Sequence, residues 1–430
     1  MTGWLPTAAI VRSTTTAAVV SLAALVLGRP DLLVLAAPFG IHLALALAHT
    51  PSGGPDVQTR LTDRWVREGQ TTRWRIRVGE PADLDQLTAT LAPPAFVVVT
   101  PASGAVSATP RRGADPVLEF AVSPRRWGVR SPGAGLVAAT SCWGGWRWGP
   151  APLPEPSVVA LPTTSPFSST QSPHPVGLIG QHPARRAGDG SEFWAVRPFQ
   201  PGDRLRRVNW RTTLRTGRVH AVGTAAQEDS SVLLLIDAVA DVGTSGGVDG
   251  EASSLDVTVR AAGALAGHHV RLGDRVAVRV LGRSTLTLGP GTGVRHQRRI
   301  LELLSQVQPG WPDLFGGRHL RFRAEAGTVV VVLSPLLTPE ITTTMVTLAR
   351  RGLTVLAVDT LPPEALPRPA RDPHSAGRLA WRMRLLERDT ELTEVARQGI
   401  PVVPWRGPGT LDEVLRRLAR RNTLPRAVAR

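Results

Sequence analysis

The apolar positions of this chain follow three different rhythms. Residues 14–27 (TTTAAVVSLAALVL) and 32–48 (LLVLAAPFGIHLALALA) are continuous apolar runs without a charge. Between them lies Gly28-Arg29-Pro30-Asp31, a turn signal. A helix needs about 20 apolar residues to cross a hydrocarbon core of ~30 Å. The second run nearly suffices, and the first does so if its helix reaches back to Ala8 past Arg12, whose long side chain snorkels towards head groups. The pair predicts a transmembrane helical hairpin over residues 1–52 with both ends on one side. Arg60, Arg64 and Arg67 follow the second run, whereas the turn holds only Arg29 beside Asp31. This asymmetry predicts a multi-pass plasma-membrane protein with the bulk of the chain cytoplasmic. The alternative is a secretory signal peptide ending at Ala46-Leu47-Ala48, but the combined apolar length exceeds the ~7–15 residues of such a segment.

The second rhythm is period two. Residues 72–78 (TRWRIRV) alternate polar and apolar, as a half-buried strand requires. Residues 96–99, 118–122 and 135–140 are further strand candidates, so residues 57–160 read as a β-rich, sandwich-like domain. Trp143, Trp146 and Trp148 follow in a Gly-rich stretch, either capping that core or forming a platform for bases. Residues 161–190 lie in a stretch rich in Pro, Ser and Thr and read as a linker.

The third rhythm alternates buried strands with helices. Residues 232–237 (VLLLID) form an apolar run ending in an acid, the pattern of a strand covered on both faces. Helices are expected at 255–268, 295–306, 339–350, 378–398 and 411–421, and strands at 275–281, 328–333, 354–359 and 401–405. That alternation predicts a doubly wound parallel sheet over residues 229–425.

Composition changes the picture in one respect. The 430 residues carry a formal net charge of +16, and all the cations are Arg. Spread along the whole chain, they fit a coding preference for Arg, or an affinity for nucleic acid or anionic lipid. No specific nucleic acid is expected. The single cysteine, Cys142, forms no disulfide within the chain, and no Cys/His cluster has zinc spacing. The glycines at 289, 291 and 293 lack the Gly-Lys-Ser/Thr ending of a phosphate loop, and no serine sits in a nucleophile elbow. No enzyme constellation is visible, so catalysis is not expected.

The most distinctive run is residues 191–222, SEFWAVRPFQPGDRLRRVNWRTTLRTGRVHAV. Through Glu192, Phe193, Arg197, Phe199, Gly202, Asp203, Arg206, Trp210 and Arg215 it resembles the domain-of-unknown-function family 58. Phe199 stands where Tyr is common in that family, and Asn209 where Asp is common. Residues 66–70 (VREGQ) and 126–129 (RWGV) resemble other parts of its pattern. Seven Arg lie between residues 197 and 218 against one Asp, which suits a partner or anion site read by Arg forks. The structural alternative makes Gly202-Asp203 a turn, with the carboxylate capping amides or pairing with Arg, and Trp210 packed beneath the domain.

The resemblance implies a membrane-anchored chain whose C-terminal part is similar to a von Willebrand factor type A domain. Such domains often hold Mg²⁺ through an Asp-x-Ser-x-Ser loop, a distant Thr and a later Asp. Here the loop is Asp237-Ala238-Val239-Ala240-Asp241, Thr292 stands for the distant Thr, and Ser334-Pro335 replaces the later Asp. Asp237, Asp241 and Thr292 are thus a degenerate candidate Mg²⁺ set, and no cofactor is expected. The family further implies a non-catalytic assembly role beside a MoxR-type AAA+ ATPase. A metal-dependent adhesion module and an electrostatic binder of nucleic acid or anionic lipid are the alternatives.

Overall fold

The computed structural model describes residues 3–79, 84–110, 116–163, 183–200, 203, 205–227, 231–311, 328–406 and 410. The chain divides into one unit of residues 1–161 and 247–249, and a second of the remaining residues.

The first unit opens with β1 (Trp4–Pro6), α1 (Ala8–Leu27) and α2 (Leu32–Ala48). α1 is long and apolar enough to cross a membrane, and α2 is a shorter apolar helix. Thr7 caps α1 by accepting from the Ile10 amide. Gly28 ends it at φ 64°, a left-handed conformation that suits glycine, and its N–H reaches back to the Ala24 and Leu25 carbonyls. Arg29 and Asp31 pair at 2.7 Å in the turn, and α1 packs on α2.

Eleven strands follow: β2 (Asp56–Leu61), β3 (Trp65–Arg67), β4 (Thr72–Gly79), β5 (Leu84–Ala92), β6 (Val97–Thr100), β7 (Ala105–Ala108), β8 (Val117–Pro124), β9 (Gly128–Arg130), β10 (Ala134–Ser141), β11 (Trp146–Pro152) and β12 (Val158–Leu161). They form sheets ordered β1-β11-β10-β5-β7, β2-β4-β8-β6 and β3-β12-β9. The alternation in β4 has its expected effect: Trp74, Ile76 and Val78 are fully buried, and the intervening Arg73, Arg75 and Arg77 are exposed. Trp74, Ile76 and Val78 meet Leu118, Phe120 and Val122 of β8, Leu87 and Ala89 of β5, and Val137 and Ala139 of β10 in one core. The tryptophans that the sequence grouped together separate. Trp148 joins the core, Trp143 is exposed, and Trp146 donates from Nε1 to the Ala46 carbonyl at 3.0 Å.

Three further bonds hold the helices to this domain. Thr7 Oγ1 donates to the Gly144 carbonyl at 2.6 Å, the Thr7 N–H to Gly145 at 2.9 Å, and His42 Nε2 to Trp143 at 2.9 Å. β1 also pairs with β11, Trp4 opposite Trp148. At Gly145 a Cβ would lie 2.6 Å from the Ala46 methyl, so only glycine permits this approach.

The second unit begins with β13 (Pro183–Pro198). The linker expected over 161–190 is therefore strand from residue 183 onward, and residues 164–182 lie outside the described residues. α3 (Trp210–Thr216) connects β13 to its antiparallel partner β14 (His220–Gln227). A six-stranded sheet then forms from β15 (Ser231–Asp237), β16 (Arg275–Leu281), β17 (Leu286–Gly291), β18 (Val329–Ser334), β19 (Thr354–Asp359) and β20 (Val402–Pro404). Its order is β17-β16-β15-β18-β19-β20. Five strands are parallel, but β17 is antiparallel to β16, so the sheet is mixed rather than wholly parallel. β17 reads LTLGPG, and its glycines and proline are tolerated because an edge strand needs hydrogen bonds on one side only.

The helices are α4 (Ser254–Arg271), α5 (Gly293–Leu304), α6 (Pro339–Arg350) and α7 (Ala376–Arg397). A reciprocal capping box of Ser253 and Asp256 starts α4. Leu235, Val330 and Val332 pack with Met345 of α6 and Val395 of α7 on one face. The alternate residues Leu234 and Ile236 are also fully buried, which requires cover on the other face, and α4 lies against β15, β16 and β18. The helix expected at 411–421 lies outside the described residues.

Candidate functional site

Two places in the second unit concentrate polar side chains. The first is the run between β13 and β14. Arg197, at the end of β13, makes a two-pronged pair with Asp203: Nη2 meets Oδ1 at 2.6 Å and Nη1 meets Oδ2 at 2.8 Å. Oδ2 also accepts from the Gln200 amide at 2.8 Å. The side-chain hydrogen bond from Arg197, the Gln200 amide and the charges of Arg197 and Arg207 together hold the Asp203 carboxyl below the usual Asp value. Asp203 therefore acts as the clasp of a turn, pairing with Arg and capping an amide at once. Asn209 accepts from the Thr212 amide at 3.1 Å and caps α3. An Asp would serve equally at that position, so the departure from the family pattern costs no structure.

The remaining motif residues are arranged differently from the expectation. Arg206, in the short helical turn Leu205–Arg207, and Arg215, on α3, both point into solvent. Trp210 is 66% exposed and does not pack beneath the domain. Thr213 helps to tie α3 down, because its hydroxyl accepts from the His220 amide of β14, and the Thr216 hydroxyl meets His220 Nδ1. Glu192 and Phe193 fall within β13, with Phe193 opposite Thr224. Gly202 lies outside the described residues.

The second place is the carboxyl end of the parallel strands, where ligands of such sheets usually sit. β15, β18 and β19 end in Asp237, Ser334 and Asp359, with Ser334 opposite Asp359. Asp237 is buried. Its Oδ1 accepts from the Val239 amide at 3.0 Å and its Oδ2 from Ser334 Oγ at 2.6 Å. Burial raises the Asp237 carboxyl above its ordinary value, and the bonds from Ser334 and Val239 only partly offset that. Ser334 Oγ in turn accepts from the Leu336 amide at 2.8 Å. Asp241 Oδ1 accepts from the Leu255 amide at the start of α4, 3.1 Å away. Asp359 accepts from the Leu361 amide and meets Arg388 Nη2 at 2.5 Å, an ionic contact off the hydrogen-bond axis. Arg388 Nε donates to the Pro335 carbonyl at 2.9 Å.

The degenerate Mg²⁺ set is thus not assembled in one place. Val276 of β16 faces Gly291, next to Thr292, while Leu281 of the same strand faces Asp237. Five residues of strand separate the two levels, about 16 Å. Thr292 therefore stands at the opposite end of the sheet, where it is the residue before α5. Among the described residues no group of three or more His, Cys, Asp or Glu is placed to hold a metal.

Sequence reasoning missed Arg388. The signal was present: Trp381, Leu385, Arg388, Leu392 and Val395 recur at helical spacing, which puts one cation on the buried stripe of α7.

Uncharacterized proteins of Mycobacterium bovis and Mycobacterium tuberculosis are 29% identical to this chain over 197 residues, covering 45% of it and 55% of theirs. The chain thus spans about half the length of the curated relatives it matches. The model of the family described as "Protein of unknown function DUF58" matches residues 195–370, from Ala195 just before the Asp203 clasp through β19 to Ala370. Over those residues the chain is similar to that family, the one its Arg197–Arg215 run resembles.

Proposed function

We propose that this chain is a membrane-anchored, non-catalytic interaction protein. In this reading α1 and α2 form a transmembrane hairpin in the plasma membrane, and the bulk of the chain is cytoplasmic. The second unit is a von Willebrand factor type A-like domain that engages a protein partner, a MoxR-type AAA+ ATPase. The observation that carries the proposal is the apolar surface of the helix pair. Val19, Leu22, Leu25 and Val26 of α1 and Leu33, Val34, Leu35 and Ile41 of α2 are all exposed, an extent of contiguous apolar surface that water tolerates poorly and lipid accepts. The non-catalytic part is supported by the occupied strand ends. Asp237 spends both oxygens on the Val239 amide and the Ser334 hydroxyl, while Oδ1 of Asp241 takes the Leu255 amide and Oδ1 of Asp359 takes the Leu361 amide and Arg388. In this reading such a layer shapes a surface for contact instead of holding a base for proton transfer. The partner's identity rests on the family resemblance alone.

The test is reconstitution. The full chain is extracted from membranes, purified in detergent and mixed with a purified MoxR-type ATPase. Extraction only by detergent and co-elution with the ATPase are expected. Release in detergent-free buffer would remove the anchor, and separate elution would remove the ATPase as partner.

A further inference from the structure

The surface around α3 is left unexplained by that reading. Leu205, Trp210 and Leu214 are 77%, 66% and 83% exposed, and Val219 is also exposed. Trp210 and Leu214 are four residues apart on α3 and share one side of it. Arg211 and Arg215 repeat the spacing one residue on and are exposed beside them, as are Arg206 and Arg218. Another side of α3 faces β14, where Thr213 accepts from the His220 amide and the Thr216 hydroxyl meets His220 Nδ1 at 3.2 Å. Residues 204–227 contain no Asp or Glu.

We infer that this surface is a second membrane contact, one that docks on anionic lipid head groups and buries Trp210 and Leu214 at their level. Three features of its chemistry select lipid. The apolar members are mainly aliphatic, which suits acyl chains; a single-stranded nucleic acid would need several aromatic platforms, and Trp210 is the only Phe or Trp between residues 204 and 227. Its charges are all of one sign, with no Asp or Glu between residues 204 and 227, which suits the negative surface of an anionic leaflet. Trp and Arg together are also the side chains that sit at a bilayer–water boundary. The inference rests on the anchored reading, because a tethered domain meets its own bilayer at high effective concentration. Each cation near an anionic leaflet adds to that attraction.

The experiment uses the full chain with Cys142→Ser and Leu214→Cys, labelled at position 214 with an environment-sensitive fluorophore. It is reconstituted into vesicles of phosphatidylcholine alone or mixed with phosphatidylglycerol. The label is expected to be blue-shifted and quenched by spin-labelled lipid in the anionic vesicles only. Protection should weaken between about 0.1 M and about 1 M salt, as the screening length falls from ~10 to ~3 Å. Arg211→Gln with Arg215→Gln should lower the ratio of buried to aqueous label about thirtyfold, the factor for two cations at such a leaflet. Alkaline carbonate washing of the same vesicles reads the anchor separately. A chain that resists washing while its label stays aqueous in both lipids overturns the contact and leaves the anchor standing. A chain that washes off but whose label is buried on anionic vesicles beforehand overturns the anchor and supports the contact. Equal burial in both lipids, or a label buried only when an acidic protein is added, also overturns the proposal.

Discussion

Removing the guanidinium of Arg388 should unfasten α7 from the end of the sheet. Arg388 is 7% exposed, and its side chain does two things: Nη2 neutralises Asp359 at 2.5 Å and Nε caps the Pro335 carbonyl at 2.9 Å. In Arg388→Ala the Asp359 carboxylate keeps the Leu361 amide and loses its cation, while the Pro335 carbonyl loses its donor. Breaking a buried pair from one side costs about 3–5 kcal/mol. At ~2–4 °C per kcal/mol for a unit of this size, the melting midpoint should fall by roughly 6–20 °C. Differential scanning fluorimetry of the detergent-solubilised chain measures the shift. Arg388→Met with Asp359→Asn removes both charges and should recover most of the loss, because uncompensated charge causes the damage. A shift below ~1 kcal/mol, the scale of a solvated surface pair, would refute the claim that this contact is buried. A double variant no better than Arg388→Ala would refute the charge explanation.

Other perturbations test the remaining contacts. Asp203 has its carboxyl lowered in the fold, so it contributes stability at all pH values above the ordinary Asp range and loses it only as pH falls through the folded value; intrinsic-rate-corrected hydrogen exchange at the Gln200 amide should be flat from about pH 5 to 8 and rise below ~4. Asp237 behaves in the opposite sense. Between the ordinary Asp value of about 3.8 and its raised value in the fold, the folded chain holds a proton that the unfolded chain has released, so stability falls as pH climbs through that window, and Asp237→Asn should flatten that slope in pH-dependent melting. Asp237→Ala instead strands the Val239 amide and the Ser334 hydroxyl and should cost about 1–3 kcal/mol in the same assay. Asn209→Ala should destabilise α3 by ~1 kcal/mol and Asn209→Asp should not, read as the rate of tryptic cleavage at Arg211 and Arg215.

How much of this was legible in the sequence depends on how local each feature is. The β4 alternation, the VLLLID strand and the helix at 339–350 carry their own burial pattern, so they appear where periodicity places them. β17 was invisible because its Gly and Pro read as a loop, and only the free edge of β16 makes LTLGPG a strand. The start of β13 was hidden likewise, since residues 183–190 have no alternation and are strand through pairing with β14. Within the motif, the pairing of Arg197 with Asp203 spans six residues and follows from a turn signal. The exposure of Trp210 could not be read that way, because an isolated indole looks the same whether it packs or projects. Thr292 was misplaced because distance along the chain says nothing about which end of a sheet a loop returns to.

The junction between α1–α2 and the β-rich domain carries a mechanical consequence. β1 belongs to the same sheet as β10 and β11, Trp146 and His42 bind across to the facing backbone, and Gly145 sits against Ala46 with no room for a side chain. Such a joint works as a weld instead of a swivel. A tilt or rotation imposed on the helix pair would be handed to the strands as a lever hands on torque, without slack at the joint. Adding a methyl at Gly145, as in Gly145→Ala, is a small change that would loosen it.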